Sequence, residues 1–333
     1  MRRIFAIGET LLDIIFKNGQ PVASTPGGSL LNTAVSLGRL GLDVYFISEY
    51  GKDVVGNLID DFLRSNGVKT DYVHRYENYP SSLALAFLDN QNNADYNFYK
   101  QYPDRRLDII FPELTDNDIV VYGSFYGIDL NIFARLKPFL EHANEKNALV
   151  IYDPNFRKAH LSEMETYKPI MMQNFAHADI VKGSDEDFMY IFGAKTAKES
   201  WKTLSEMCDM LIYTANVNDV ELCISDVHEL ESEPYSVPSI NTLSTIGAGD
   251  TFNAGLISGL ITHGIGKDNL NEMQKSQRVA IVNRAIKFAG HVCMSYENYI
   301  SQEFAEKSST EENPQHSQVE RKTQPCVDEK RIM

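Results

Sequence analysis

Residues 244–252 read Ser244-Thr245-Ile246-Gly247-Ala248-Gly249-Asp250-Thr251-Phe252, three small residues followed by an aspartate that opens an apolar-periodic run. The spacing predicts a helix from Asp250 to about His263. Phe252, Leu256 and Leu260 recur every fourth residue, while Ala254, Gly255, Ser258 and Gly259 permit a neighbouring element to pack very closely. Gly247, Ala248 and Gly249 let backbone N–H groups converge at the helix N-terminus, where unpaired donors and the helix dipole favour a phosphate. Asp250 stands at the same point and can accept a proton from an attacking hydroxyl. The same four residues also fit a turn with an N-cap aspartate and no chemistry.

Other polar and glycine-rich segments sit where an apolar run ends. Gly8-Glu9-Thr10-Leu11-Leu12-Asp13 follows Ile4–Ile7, and Pro26-Gly27-Gly28-Ser29-Leu30-Leu31-Asn32-Thr33-Ala34 leads a helix over 29–40. Gly51-Lys52-Asp53-Val54-Val55-Gly56 follows the strand-like Val44–Ile47 and opens a helix over 54–66 that Gly67 ends. Asp153-Pro154-Asn155-Phe156-Arg157 follows the strand-like Leu149–Tyr152, at the carboxyl edge where α/β ligand sites lie. Arg157 there fits a cation for phosphate or for a substrate carboxylate, and equally a surface ion pair. Asp13 and Asn32 fit hydroxyl recognition as well as strand-end and helix capping.

The elements that must hold these residues alternate. Strand-like runs at 119–122, 180–181 and 211–213 join those already named, with a helix at about 131–145 between them. Such alternation implies right-handed crossovers and a mostly parallel sheet covered on both faces. One stretch breaks the rhythm: 82–88 and 96–99 are β-rich, joined by Asn90-Gln91-Asn92-Asn93 with no helix between. With Leu12–Phe16 they form a small sheet, which fits a surface hairpin, a lid or a dimer surface. Residues 305–333 hold no aromatic residue and no apolar period, so a disordered polar tail is expected there.

Composition narrows the function. The 333 residues are 43% hydrophobic and 23% charged, which excludes collagen-like, coiled-coil and wholly disordered chains. Net charge is −15, which argues against nucleic acid or an anionic membrane as partner. The 305–333 segment holds six acids against five bases, so the folded body carries nearly all of that charge. An anionic ligand must therefore be held by a local site. Four scattered cysteines without a CxxC pair point to reduced thiols. Glu9 and Asp13 interrupt the first apolar run, and no run of 18 apolar residues occurs. A soluble, cytoplasmic protein is expected. GxGxxG is absent after the first strand and GxxxxGK[ST] is absent throughout, which speaks against a nicotinamide-dependent Rossmann enzyme and a Walker-type NTPase.

Taken in order, the Gly8–Asp13, Pro26–Ala34, Gly51–Gly56 and Gly247–Asp250 segments resemble the ribokinase-like (PfkB) carbohydrate kinases, from about residue 4 to residue 300. Tyr122-Gly123-Ser124 and Asp153–Arg157 look most like the fructokinase branch. The resemblance implies a ribokinase-like three-layer α/β/α domain over 1–304, with a mostly parallel central sheet and a small inserted β lid at about 12–24 and 80–105. It implies transfer of the γ-phosphoryl group of ATP to a sugar hydroxyl, fructose first, with another sugar, a ketosugar acid or a nucleoside as alternatives. It makes Asp250 the general base and Gly247, Ala248 and Gly249 the anion hole. Asp13, Gly28, Asn32, Tyr99 and Arg157 become substrate-binding residues, with Lys100 and Arg105 as further substrate-facing groups. Thr214, Asn216, Asp219 and Asn283 become nucleotide-binding residues, and the lid a candidate homodimer surface.

Three positions depart from the family's pattern. The nucleotide loop reads Thr214-Ala215-Asn216-Val217-Asn218-Asp219, with Asn216 and Asp219 in place of glycines. Asn and Asp tolerate positive φ, but their side chains occupy space the nucleotide would use. That keeps open a sugar-binding homologue without catalysis. Ser244 replaces an aspartate tied to a monovalent cation, which weakens the case for potassium. The Asn-x-x-Glu segment associated with Mg2+ appears as Ser184-Asp185-Glu186-Asp187, with Asp187 as the remaining, indirect contact to a metal that arrives with ATP.

Overall fold

Ile4, Phe5, Ala6 and Ile7 are fully buried because the strand carrying them lies mid-sheet, with helices over both faces. The computed structural model describes residues 2–89, 94–215, 218–225 and 230–312. Among these, nine strands form the main sheet. From one edge its spatial order is Leu230–Tyr235 (β13), Val220–Ser225 (β12), Met210–Thr214 (β11), Ile180–Ser184 (β10), Leu149–Asp153 (β9), Ile119–Gly123 (β8), Arg3–Ile7 (β1), Asp43–Gly51 (β4) and Val68–Tyr76 (β5). Every pairing is parallel except β11–β12 and β12–β13.

Alternation along each strand divides the core in two. Ile4, Ala6, Val44 and Ile212 face one layer, built from Ser29–Arg39 (α1), Val54–Ser65 (α2), Ala248–Thr262 (α7) and Lys275–Cys293 (α8). Phe5, Ile7, Val150 and Leu211 face the other, built from Leu130–Glu145 (α3), Met164–His177 (α4), Asp185–Phe192 (α5) and Ala197–Leu204 (α6). This is the three-layer α/β/α arrangement.

The small residues of α7 are spent on α8. A Cβ on Gly255 would lie 2.7 Å from the Ala285 Cα, and one on Gly259 would lie 3.2 Å from the Ile281 Cα. The two helices thus meet almost backbone to backbone, which fixes the helix whose first turn carries Asp250.

A second sheet of four strands rises from the carboxyl edge. Its order is Gln20–Gly27 (β3), Leu11–Lys17 (β2), Leu83–Leu88 (β6) and Ala94–Tyr99 (β7). β2 pairs with β6 in parallel, and the two outer pairings are antiparallel. Phe16 and Phe87 stack at 4.9 Å between ring centroids, tying the two halves together. The expected turn at Asn90–Asn93 lies outside the described residues. Thr10 Oγ1 donates to Gly27 O at 3.1 Å and Leu12 N donates to Ser82 O at 3.0 Å, anchoring the four-stranded sheet where β1 hands over to β2.

The start of the expected polar tail needs correction. A helix, Gln302–Glu312 (α9), runs through residue 305; Ala305 and Ser308 are buried on it. Phe304 lies at 4.1 Å from the His291 ring and 5.1 Å from the Phe288 ring on α8. One aromatic anchor just before residue 305 supplies the burial that the polar sequence lacks. Residues 313–333 lie outside the described residues. No helix among the described residues is long and apolar enough to cross a membrane.

Candidate active site

The first turns of α7 and α1 face each other and share one carboxylate. Ser29 Oγ donates to Asp250 Oδ1 at 2.6 Å, Asn32 Nδ2 donates to Oδ2 at 2.8 Å, and Thr33 Oγ1 donates to the Asp250 carbonyl at 2.9 Å. Burial raises the Asp250 pKa; the Asn32 and Ser29 hydrogen bonds and the Lys182 charge oppose that, while Asp153 adds to it. A buried, doubly held carboxylate keeps its direction fixed and becomes a stronger base than an exposed one. Asn32 Oδ1 is buried with no hydrogen-bond partner among the described residues, so an acceptor stands open beside Asp250.

Backbone geometry explains why glycines precede both turns. Gly247 caps α7 at φ 80°, and a Cβ there would lie 2.4 Å from the Asn298 carbonyl oxygen. Gly28 precedes α1 at φ 137°, with its missing Cβ 2.2 Å from the Glu9 carbonyl oxygen. Gly28→Ala should therefore cost at least about 2 kcal/mol of stability through strain alone. A denaturant midpoint equal to that of the parent chain would contradict this packing.

Two residues that sequence reasoning did not assign to the site complete its floor. Asn155, at φ 39°, donates from Nδ2 to Ser29 Oγ at 2.8 Å, orienting that hydroxyl's own proton toward Asp250. Lys182 on β10 donates from Nζ to Asp153 Oδ2 at 2.9 Å, and Asn253 Nδ2 donates to the same oxygen at 2.7 Å. The Lys182 side chain is only 6% exposed. Burial works against its charge, but Asp153, Asp187 and Asp250 together outweigh that and raise its pKa, so it is an ammonium. A lysine within the apolar run Ile180-Val181-Lys182-Gly183 is the signal that marks it in the sequence.

Asp187 is engaged elsewhere. Its Oδ1 accepts from Phe156 N at 2.6 Å, and its Oδ2 accepts from Ser184 N at 2.7 Å and Ser184 Oγ at 2.6 Å, closing a capping box on α5. Among the described residues no group of three or more His, Cys, Asp or Glu side chains could hold a metal ion. With Asp153 tied to Lys182 and Asn253, and Asp187 to Phe156 N and Ser184, these carboxylates do not form a resident Mg2+ site among the described residues.

At the four-stranded sheet, Asp13 on β2 is half-buried with no charged partner among the described residues, and desolvation pushes its pKa up to about 6. Tyr99, at the end of β7, is 60% exposed. Lys100 donates to Glu9 Oε1 at 2.7 Å, and Tyr102 Oη donates to the same oxygen at 2.5 Å. Arg105 is exposed and pairs with Asp108 at 3.1 Å. Its neighbour Arg106 is the buried one, bonded to Glu49 and stacked 3.5 Å above the Tyr102 ring. Arg157 is exposed, just beyond the buried Phe156.

The residues assigned to the nucleotide are more dispersed. Thr214 ends β11 half-buried and its hydroxyl donates to Gly183 O at 3.3 Å. Asp219 is exposed before β12, Asn283 is exposed on α8, and Asn216 lies outside the described residues.

The sequence pattern of the pfkB family carbohydrate kinase matches residues 1–284. The fructokinase of Escherichia coli is 26% identical over 283 residues, covering 82% of this chain and 89% of the relative. A probable fructokinase of Arabidopsis thaliana is 23% identical over 304 residues, covering 87% and 89%. Among solved structures, the fructokinase of Xylella fastidiosa with bound ATP superposes with a TM-score of 0.76 at 20% identity, covering 94% of this chain and 99% of that one. The aminoimidazole riboside kinase of Salmonella enterica, complexed with its riboside and an ATP analogue, also gives 0.76, at 18% identity and 94% and 100% coverage. At such identities the superpositions establish the ribokinase-like fold alone. The family match spans most of the chain and includes the segments that build the Asp250 site. The chain belongs to the pfkB family of carbohydrate kinases.

Proposed function

We propose that the protein transfers the γ-phosphoryl group of ATP, taken up as its magnesium complex, to a hydroxyl of a sugar, with fructose the first acceptor to test. The observation that carries this reading is the Asp250 carboxylate, held by Ser29 and Asn32 in the first turn of a helix that Gly247 caps and Ala248 and Gly249 open. Asp250 takes the proton of the sugar hydroxyl as that oxygen forms its bond to phosphorus. The bond from phosphorus to the β,γ-bridging oxygen breaks, and ADP leaves with its electron pair. Backbone N–H groups of the Gly247–Gly249 turn receive the negative oxygens of the transferring group. Asp13 and the free Asn32 Oδ1 accept hydrogen bonds from sugar hydroxyls, with Gly28 leaving room for the ring.

This resolves how a chain of net charge −15 handles a polyanion: its anion site is made of backbone, inside an acidic surface. The fructokinases among the relatives favour fructose, and the riboside kinase that shares the fold makes nucleosides the second arm of a panel. ADP release measured across ketoses, aldoses, a ketosugar acid and nucleosides should single out one acceptor by kcat/KM. Potassium should leave turnover unchanged, because Ser244 supplies a hydroxyl already accepting from Ile246 N at 3.2 Å, in place of a carboxylate. Absence of ADP release with every acceptor would refute the kinase reading. Stabilisation by a sugar but not by magnesium–ATP in a thermal-shift titration would then assign the chain to sugar binding alone.

A further inference from the structure

The anion-hole turn holds a feature that neither its backbone nor Asp250 accounts for. A Cβ built on Gly249 would stand 2.9 Å from Lys182 Nζ. The ammonium thus fills the space that a side chain at the third residue of the turn would take, so Gly249 is required as room for a cation. We propose that Lys182 is the fixed cation of the phosphoryl-transfer centre, directed at the γ-phosphoryl group held by the Gly247–Gly249 turn. The inference rests on the kinase reading and adds a catalytic residue to it.

Three observations carry it. Lys182 is buried beneath the turn and anchored from below by Asp153, itself gripped by Asn253 one turn after Asp250 on the same helix. The ammonium, the base and the helix N-terminus are thereby parts of one rigid unit. An ammonium has three donors, and Asp153 is its one hydrogen-bond partner among the described residues, leaving donors for an incoming anion. The other cations near the site are spent or exposed: Arg106 on Glu49, Lys100 on Glu9, Arg157 at the surface. A preorganised charge in a water-poor site stabilises the negative charge spread over the γ-phosphoryl oxygens without reorganising during transfer. Lys182 gains and loses no proton in the step; the hydroxyl proton goes to Asp250.

The test uses the neutral pair Asp153→Asn with Lys182→Gln, which keeps an amide hydrogen bond in place of the ion pair and avoids stranding a buried carboxylate. Turnover should fall on the order of 10²–10³-fold, the scale of one lost electrostatic contact in such a hole, while the sugar KM stays within a few-fold. ADP with aluminium fluoride, a mimic of the transferring phosphoryl group, should bind the parent chain with sugar present far more tightly than ADP alone. The pair variant should lose that gain and keep its ADP affinity, a split that a purely structural role for Lys182 would not produce. Gly249→Ala provides a second route, since its methyl must shift the end of the Lys182 side chain from its place beneath the turn. It should lower turnover in the parent chain and have no further effect in the pair variant. An active parent whose pair variant turns over at the parental rate, or retains the aluminium fluoride gain, overturns the role of Lys182 alone. A parent with no sugar-dependent ADP release overturns the kinase reading together with it.

Discussion

Asp250→Asn should lower turnover by about 10²–10⁴-fold, the range that one positioned general base supplies, while leaving sugar affinity nearly intact. The side chains differ by one acceptor turned donor. Asn32 Nδ2 can still donate to the amide oxygen, and Ser29 Oγ can accept from the new NH2, so the contacts at 2.6 and 2.8 Å persist in altered polarity. What disappears is the proton acceptor. Burial, the largest influence on this carboxylate, raises its pKa, so the base form is lost as pH falls and turnover should decline on the acid side. Pre-steady-state measurement of the chemical step with sugar binding measured separately checks this; near-parental turnover would remove Asp250 from its role.

Asp13→Asn should show the opposite balance, gaining stability while losing substrate recognition. The Asp13 carboxyl has an ordinary value of 3.8 and burial lifts it to about 6, so the folded chain holds its proton more tightly than the unfolded one. Stability then falls as pH rises from about 4 to about 6, and the full cost, at most about 3 kcal/mol, persists above 6. Asparagine removes the charge and with it that cost. The variant should match the parent near pH 4 and exceed it at pH 7.5 in denaturant midpoint. Its kcat/KM for the sugar should drop about 10- to 100-fold, because a hydroxyl bound to a carboxylate is worth more than one bound to an amide. In the parent, kcat/KM should rise with pH through about 6 as Asp13 ionises. A variant less stable than the parent at pH 7.5 would show that Asp13 has a partner in the folded state.

Much of this architecture is legible in the residues. Gly247-Ala248-Gly249-Asp250 and Pro26–Ala34 mark helix N-termini by glycine and by the apolar period that follows, and both helices begin there, at Ala248 and Ser29. The small residues of α7 signal its tight approach to α8 before the partner is known. Residues whose position depends on distant strands are harder to read. Asn155 and Lys182 lie 126 and 153 positions along the chain from Ser29, and only the order of β9, β10 and α1 in space brings them to one floor. Arg105 and Arg106 look equivalent in sequence; burial against Glu49 selects the second, and nothing local announces it. The α9 helix was hidden for a related reason, since one phenylalanine packed on α8 outweighs a polar composition.

The most direct test follows the phosphorus itself. ATP labelled in the γ-phosphate, incubated with magnesium, fructose and the parent chain, should yield one labelled sugar phosphate for each ADP formed, and neither when fructose is omitted. If another acceptor wins the panel, the same one-to-one transfer should appear on that acceptor. ADP appearing at the same rate without any sugar, with the label in inorganic phosphate, would contradict the account at its centre.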